Sequence, residues 1–271
     1  MRLLVAVDIH APYHEWVVDR ARPLARAIGG TVDLAYVGEA SDANRRKLVS
    51  ILELFDAEQR GDVRMQEGGA ADVLIGWSEQ YDVMLLGPRE PSAIERVLRG
   101  CVVVKVLRST KCPVIVPRKP VHEGGPPRLL VGIDINGKFR QNVASMAADW
   151  ARHLGGRLDA VYAIADALPV YHDARLRARA LREWSAAREP ERAQLQAILD
   201  EAVPEDVRGE AKIVQGEPED AVAELSEDYD IIVVGNRDRA GLTRFLFGPV
   251  SSAIVRKAAC DVLTLPTASL G

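Results

Sequence analysis

The residues best suited to chemistry lie between Ile231 and Pro266, in the stretch IIVVGNRDRAGLTRFLFGPVSSAIVRKAACDVLTLP. Gly235 and Gly248 bracket a loop that carries Arg237, Arg239 and Arg244, and Ser251 and Ser252 follow it. Glycines let backbone N–H groups approach an anion, and a helix opening near Gly248 adds partial positive charge. The chemistry this spacing suits is the holding of phosphate. Two residues oppose it. Pro249 withholds an N–H donor at the helix start. Asp238 sets a carboxylate beside the anion, a repulsion of about 1–4 kcal/mol per charge pair at about 4 Å. The arginines offset part of that, and Ser251 or Ser252 supplies a hydroxyl.

Other candidates are weaker. Asp8 and Asp134 each end a strand (RLLVAVD and RLLVGID) and would face the crevice at its carboxyl end; an acid there also closes a turn or caps the next helix. Gly216-Glu217-Pro218 reads as a turn with proline at the favoured first helical position. His10 and His14 are four apart, the spacing of a helical zinc pair, but Pro12 lies between them and no further ligand set accompanies them. They are read as a solvated loop and helix start. Cys101 opens a helix, where a thiolate is favoured, yet no histidine neighbour is implied. The three cysteines are widely spaced and form no C-x-x-C pair, so small buried thiols in a reducing compartment are expected. No common enzyme signature is present, and no catalytic or metal-ligating residue is assigned.

The elements that position these residues repeat. An apolar run at Ile231–Val234, the loop, an amphipathic helix over Val250–Ala259 and a β-branched run at 262–265 make a parallel crossover. The same unit occurs at 83–117, with Gly87, Gly100 and Cys112 each 148 residues before Gly235, Gly248 and Cys260. The opening strands, Arg2–Asp8 and Arg128–Asp134, lie 126 apart, so about 22 residues (148 − 126) are inserted in the second half. The insertion falls in the Arg- and Glu-rich segment 174–202, where Pro190 predicts two helices or a kink. Helices are predicted over 14–28 and 141–154, each stopped by a Gly-Gly pair, over 42–58, and over 70–80 and 219–227. Strands are predicted over 31–37, 62–66, 157–164 and 207–214. Each half is β-α-β-α-β-α-β-α-β, the pattern of an open, mostly parallel sheet. The segment 118–127, RKPVHEGGPP, is the expected linker, giving domains over 1–119 and 128–271. The chain reads as an internal duplication.

These residues resemble the universal stress protein family, whose strand ends in G-x2-G-x9-G-[ST] before a helix and a final strand often written C-P-V. Gly235 and Gly248 hold the outer glycines, and Cys112-Pro113-Val114 is similar to the final strand. The second glycine is Asp238 and the Ser/Thr is Pro249 in the second half; Glu90 and Cys101 take those places in the first. The resemblance implies two flavodoxin-like (adenine nucleotide alpha hydrolase-like) α/β domains, each an open five-stranded parallel sheet of order 3-2-1-4-5. It implies an ATP site, with or without magnesium, formed in the second half by Asp134, Ile135, Gly216, Gly235, Arg237, Gly248, Val250, Ser251 and Ser252. It also implies that the fifth strands, 113–117 and 262–266, pack the halves as a pseudo-dimer within the chain, with a homodimer open. The first-half loop, with Pro88, Glu90, Pro91 and an apolar helix start, is read as a lost site serving structure or a partner surface.

Composition bounds the rest. With 271 residues, 48 % apolar and 27 % charged, each half can bury a core. A net charge of −4 argues against non-specific nucleic-acid binding. No run approaches the roughly 18 apolar residues of a membrane span. No basic leader precedes the first strand, so a cytoplasmic protein is expected. Three functions follow: a nucleotide-binding stress protein, a nucleotide-free scaffold that docks an unknown protein partner, and a slow ATPase.

Overall fold

The computed structural model describes residues 1–11, 14–87, 102–118, 125–166, 173–235 and 248–266. In the first half, β1 (Arg2–Ala6), β2 (Thr31–Val37), β3 (Arg60–Gln66), β4 (Val83–Leu86) and β5 (Val114–Val116) lie in the order β3-β2-β1-β4-β5. In the second, β6 (Arg128–Gly132), β7 (Arg157–Ile164), β8 (Arg208–Gln215), β9 (Ile231–Gly235) and β10 (Asp261–Leu265) repeat it as β8-β7-β6-β9-β10. Pairing within each half is parallel. β5 and β10 pair antiparallel, Val116 opposite Val262 and Val114 opposite Thr264, and join the halves into one ten-stranded sheet. The carboxyl ends of the two sets of strands therefore face opposite edges of that sheet.

The central strands are apolar on both faces because helices cover both faces. Leu3, Val5, Leu129 and Val131 point into a core beneath α1 (His14–Ala27), α2 (Asp42–Leu52), α5 (Arg140–His153) and α7 (Glu189–Ala202). Leu4, Met84, Leu130 and Ile232 point to the opposite side, beneath α3 (Ala70–Trp77), α4 (Val102–Ser109), α8 (Pro218–Leu225) and α9 (Pro249–Lys257). The segment 174–202 is two helices, α6 (Ala174–Ala187) and α7, with Pro190 in the first turn of α7, where its missing N–H costs nothing; α7 takes the place of α2 at the 148-residue offset, so α6 is the added helix. No residue of α6 is buried, and Arg179 pairs with Glu183 along its surface. Gly29 and Gly155 end α1 and α5 at φ +56° and +65°, the left-handed turn that glycine makes without strain.

Two expectations change. The helix predicted over 42–58 stops at Leu52, and the Arg60 guanidinium takes up the carbonyls of Phe55 and Glu53 that a longer helix would have bonded. Arg118, expected as the first residue of the linker, is buried, and its N–H donates to Asp261 of β10 at 2.6 Å. The remainder of the expected linker up to 124, and the loops 88–101 and 236–247, fall outside the described residues.

Candidate functional site

The second-half crevice is built where β6 and β9 end side by side, Gly132 opposite Val234. Ile133 follows β6 into the core, and Asp134 comes next. Asp134 folds the chain back on itself: its Oδ1 accepts from Asn136 N at 3.1 Å and its carbonyl from Gly137 N at 2.8 Å. Asp8 does the same in the first half, with His10 N at 3.1 Å and Ala11 N at 2.9 Å. A short side-chain acceptor two residues back is what such a turn needs, so the turn-closing role is present in both halves. Ile135 is buried, and its carbonyl accepts from Gln194 of α7 at 3.2 Å. Helix α7 thus braces the turn that carries Asp134.

At the end of β9, Gly235 is required by packing. A Cβ there would lie 2.8 Å from Val143 Cγ2 on α5, and the same atom on Gly87 would lie 2.2 Å from Val17 Cγ2 on α1. Both valines are stiff at χ1. Gly248, the N-cap of α9, has open space where a Cβ would go and adopts an extended backbone, φ −69° and ψ 165°. No steric demand keeps it glycine. Ser251 Oγ donates to Gly235 O at 3.4 Å, so the first turn of α9 stands over the end of β9. A helix start leaves its first N–H groups without intrahelical partners; Pro249 has none to offer, which leaves those of Val250 and Ser251. Ser252 N bonds Gly248 O at 2.9 Å within the helix. The Ser252 hydroxyl is buried and finds no hydrogen-bond partner among the described residues.

Of the nine site residues expected from the sequence, the structure brings Gly235, Gly248, Val250, Ser251 and Ser252 together at the β9–α9 junction, with Asp134 and Ile135 beyond the neighbouring strand. Gly216 ends β8, two strands away from β6, at φ +127° with its N–H on Ile164 O at 2.9 Å. That geometry is a turn in its own right, followed by Pro218 at the start of α8. Arg237, with Asp238, Arg239 and Arg244, lies outside the described residues. His14 Nδ1 lies 2.9 Å from Ala11 O and His10 packs edge-on to Tyr36 with ring centres 5.8 Å apart; among the described residues no three metal-ligating side chains cluster.

Sequence reasoning missed a polar device that occurs twice at the amino ends of the strands. Asp33, 4 % exposed inside β2, accepts from Tyr81 Oη at 2.6 Å, Arg2 Nη2 at 2.9 Å and Asp62 N at 2.8 Å. Asp159 in β7 accepts from Tyr229 Oη at 2.6 Å and Glu210 N at 2.9 Å, with Lys212 Nζ at 3.7 Å. Each carboxylate sits where the strand register shifts and takes the place of a ladder partner. Gly61 and Gly209 make room: a Cβ would lie 2.1 Å and 1.9 Å from the carboxylate oxygen. Burial, then the hydrogen bond to the carboxylate, pushes both tyrosine phenols well above their usual range. The available signal was an aspartate at the same place in two apolar strands, 126 residues apart.

A model of the universal stress protein family matches residues 127–266. A universal stress protein of Mycolicibacterium smegmatis is 26 % identical over 246 residues, 86 % of this chain and 80 % of the relative. One from Mycobacterium tuberculosis is 29 % identical over 198 residues, 70 % of this chain but 63 % of the relative, so the chain spans under two thirds of that protein. Among solved structures, a protein from Pseudomonas aeruginosa superposes with a TM-score of 0.69 at 18 % identity, covering 98 % of this chain and 92 % of that one. A universal stress protein from Archaeoglobus fulgidus superposes at 0.62 and 18 %, covering 98 % and 96 %. At such identities the structural likeness is one of fold.

Proposed function

Because this chain belongs to the universal stress protein family, we propose that its second half binds ATP or another adenine nucleotide, with or without magnesium, and serves a regulatory or protective role in a stress response. The observation that carries this reading is the β9–α9 junction. There the first-turn N–H groups of α9, which a helix start leaves without intrahelical partners, and the buried hydroxyl of Ser252, which has no hydrogen-bond partner among the described residues, stand beside the ends of β6 and β9. Donors without acceptors at a helix start suit an anion. Phosphates would lie against Val250, Ser251 and Ser252 with Arg237 supplying charge, and the base would lie toward Asp134 and Ile135, with Gly216 at the far end of the crevice. Gly235 supports the site from beneath by letting α5 approach. The first half, with Glu90 and Cys101 in the corresponding loop, carries no nucleotide in this reading.

The test uses Gly248→Asp. Space is open at Gly248 and aspartate is a favoured N-cap, so the fold is kept while a carboxylate occupies the phosphate position. Calorimetric titration with magnesium and ATP should show binding to the natural protein, weakened at least about fivefold in the variant, the low end of the charge repulsion. Equal affinity of the two proteins refutes the placement. No heat with either at millimolar ATP leaves the protein a scaffold.

A further inference from the structure

The two ends of the seam between β5 and β10 differ. At the amino end of β10, Asp261 is 8 % exposed and accepts from Arg118 N at 2.6 Å and from the Arg20 guanidinium. Arg118, 5 % exposed, donates from its guanidinium to the carbonyls of Val255 and Pro117. Arg20 comes from α1 and Arg118 follows β5, both first-half elements; Asp261 and Val255 belong to the second. Burial pushes the Asp261 carboxyl up, against the pull of Arg20 and Arg118. The seam therefore joins two cations of one half to one buried carboxylate of the other.

The repeat places no such group at the opposite end. Residue 20 corresponds to Met146 at the 126-residue offset, and Asp261 and Arg118 correspond to Pro113 and Pro266 at the 148-residue offset. Met146 packs against the apolar core. The strand segments themselves are alike, Val114–Val116 facing Val262–Thr264, all buried. Strand pairing and apolar burial do not distinguish one half's edge from the other's.

We propose that the one-sided Arg20–Asp261–Arg118 cluster addresses the seam, so that a first half pairs with a second half and two like halves are rejected. A seam of two first halves would bring Arg20 and Arg118 twice against Pro113, four arginines without a carboxylate. A seam of two second halves would set Asp261 twice against Met146 and Pro266, two buried carboxylates without a cation. Only the mixed seam gives the buried carboxylate its cation and its N–H donor. A buried ion pair adds little against an apolar substitute, but a buried charge that has lost its partner is strongly penalised. Discrimination against a wrong partner is built from such penalties. The partner this edge fits is the unlike half of the same or a second copy of this chain, never the like half.

The test keeps the full chain intact through folding. A protease site placed between residues 119 and 124 is cut after purification, so that the halves stay together by the seam alone. Native mass spectrometry and gel filtration should find one particle holding both fragments in equal number. Asp261→Asn, cut in the same way, should weaken that association at least tenfold and yield pairs of like halves. Arg20→Gln, at a side chain that is 24 % exposed, should do so more weakly and decides the matter where Asp261→Asn does not fold. Circular dichroism of the uncut variants establishes that they are folded. A folded, cut variant that holds its halves as tightly as the natural chain and forms no like pairs overturns the proposal.

Discussion

At the scale of single residues, a glycine that ends a strand serves either a ligand or a neighbouring helix. Gly235 serves the helix, since a Cβ would collide with Val143. Gly235→Ala should destabilise the protein by about 1–3 kcal/mol, the cost of an extra methyl in a packed core. Gly248→Asp should leave the denaturation midpoint unchanged or raise it. Urea unfolding of both variants checks the contrast. Tyr229→Phe removes a donor from buried Asp159 and should cost about 1.5–3 kcal/mol, the worth of a hydrogen bond to a charged group; a midpoint equal to that of the natural protein would show that Lys212 and Glu210 N suffice. The buried thiols set a pH dependence. Burial pushes Cys112 up to about 11 and Cys260 up to about 12. Above about pH 8.5–9 the unfolded chain releases these protons and the folded chain does not. Stability is thus full below that pH and falls as pH rises toward 11–12, by on the order of 3–4 kcal/mol per thiol. Unfolding midpoints at pH 8 and 10.5 should differ, and Cys112→Ala with Cys260→Ala should flatten the difference.

At the scale of elements, what is periodic or local was legible. Apolar runs such as Ile231–Val234 announce strands covered on both faces, and the Gly29-Gly30 and Gly155-Gly156 pairs mark where α1 and α5 end. Pro190 divides the segment 174–202 as its missing N–H requires. The end of α2 was not legible, because it is set by Arg60 reaching back to Phe55 O and Glu53 O, a contact with no trace in helical periodicity. The Asp33–Tyr81 and Asp159–Tyr229 pairs join residues 48 and 70 apart, and Arg118–Asp261 spans 143. Such pairs are fixed by sheet order, and sheet order must be known before they are visible. The bracing of the Asp134 turn by Gln194 belongs to the same class. Gln194→Ala should loosen that turn, raising amide exchange at Asn136 and Gly137 severalfold while the exchange of β6 amides stays slow. Unchanged exchange at both positions would make the α7 contact irrelevant to the site.

At the scale of the whole molecule, the repeat at two offsets announced two copies of one fold, and the sheet order is the same in each half. The fusion of both sheets through β5 and β10 was implied by the family resemblance alone, because each half has a second edge strand, β3 or β8, that could equally have paired. Two crevices result, at opposite edges, and the chain has kept them unequal: Ser251 and Ser252 stand three and four residues after Gly248, where Val103 and Val104 stand after Gly100. The central claim is that only the second crevice takes nucleotide. The most direct measurement is the number of ATP sites per chain, by calorimetry on protein freed of co-purified nucleotide. One site is expected, unchanged in Gly100→Asp and weakened at least about fivefold in Gly248→Asp; two sites, or one that Gly100→Asp abolishes, would contradict that claim.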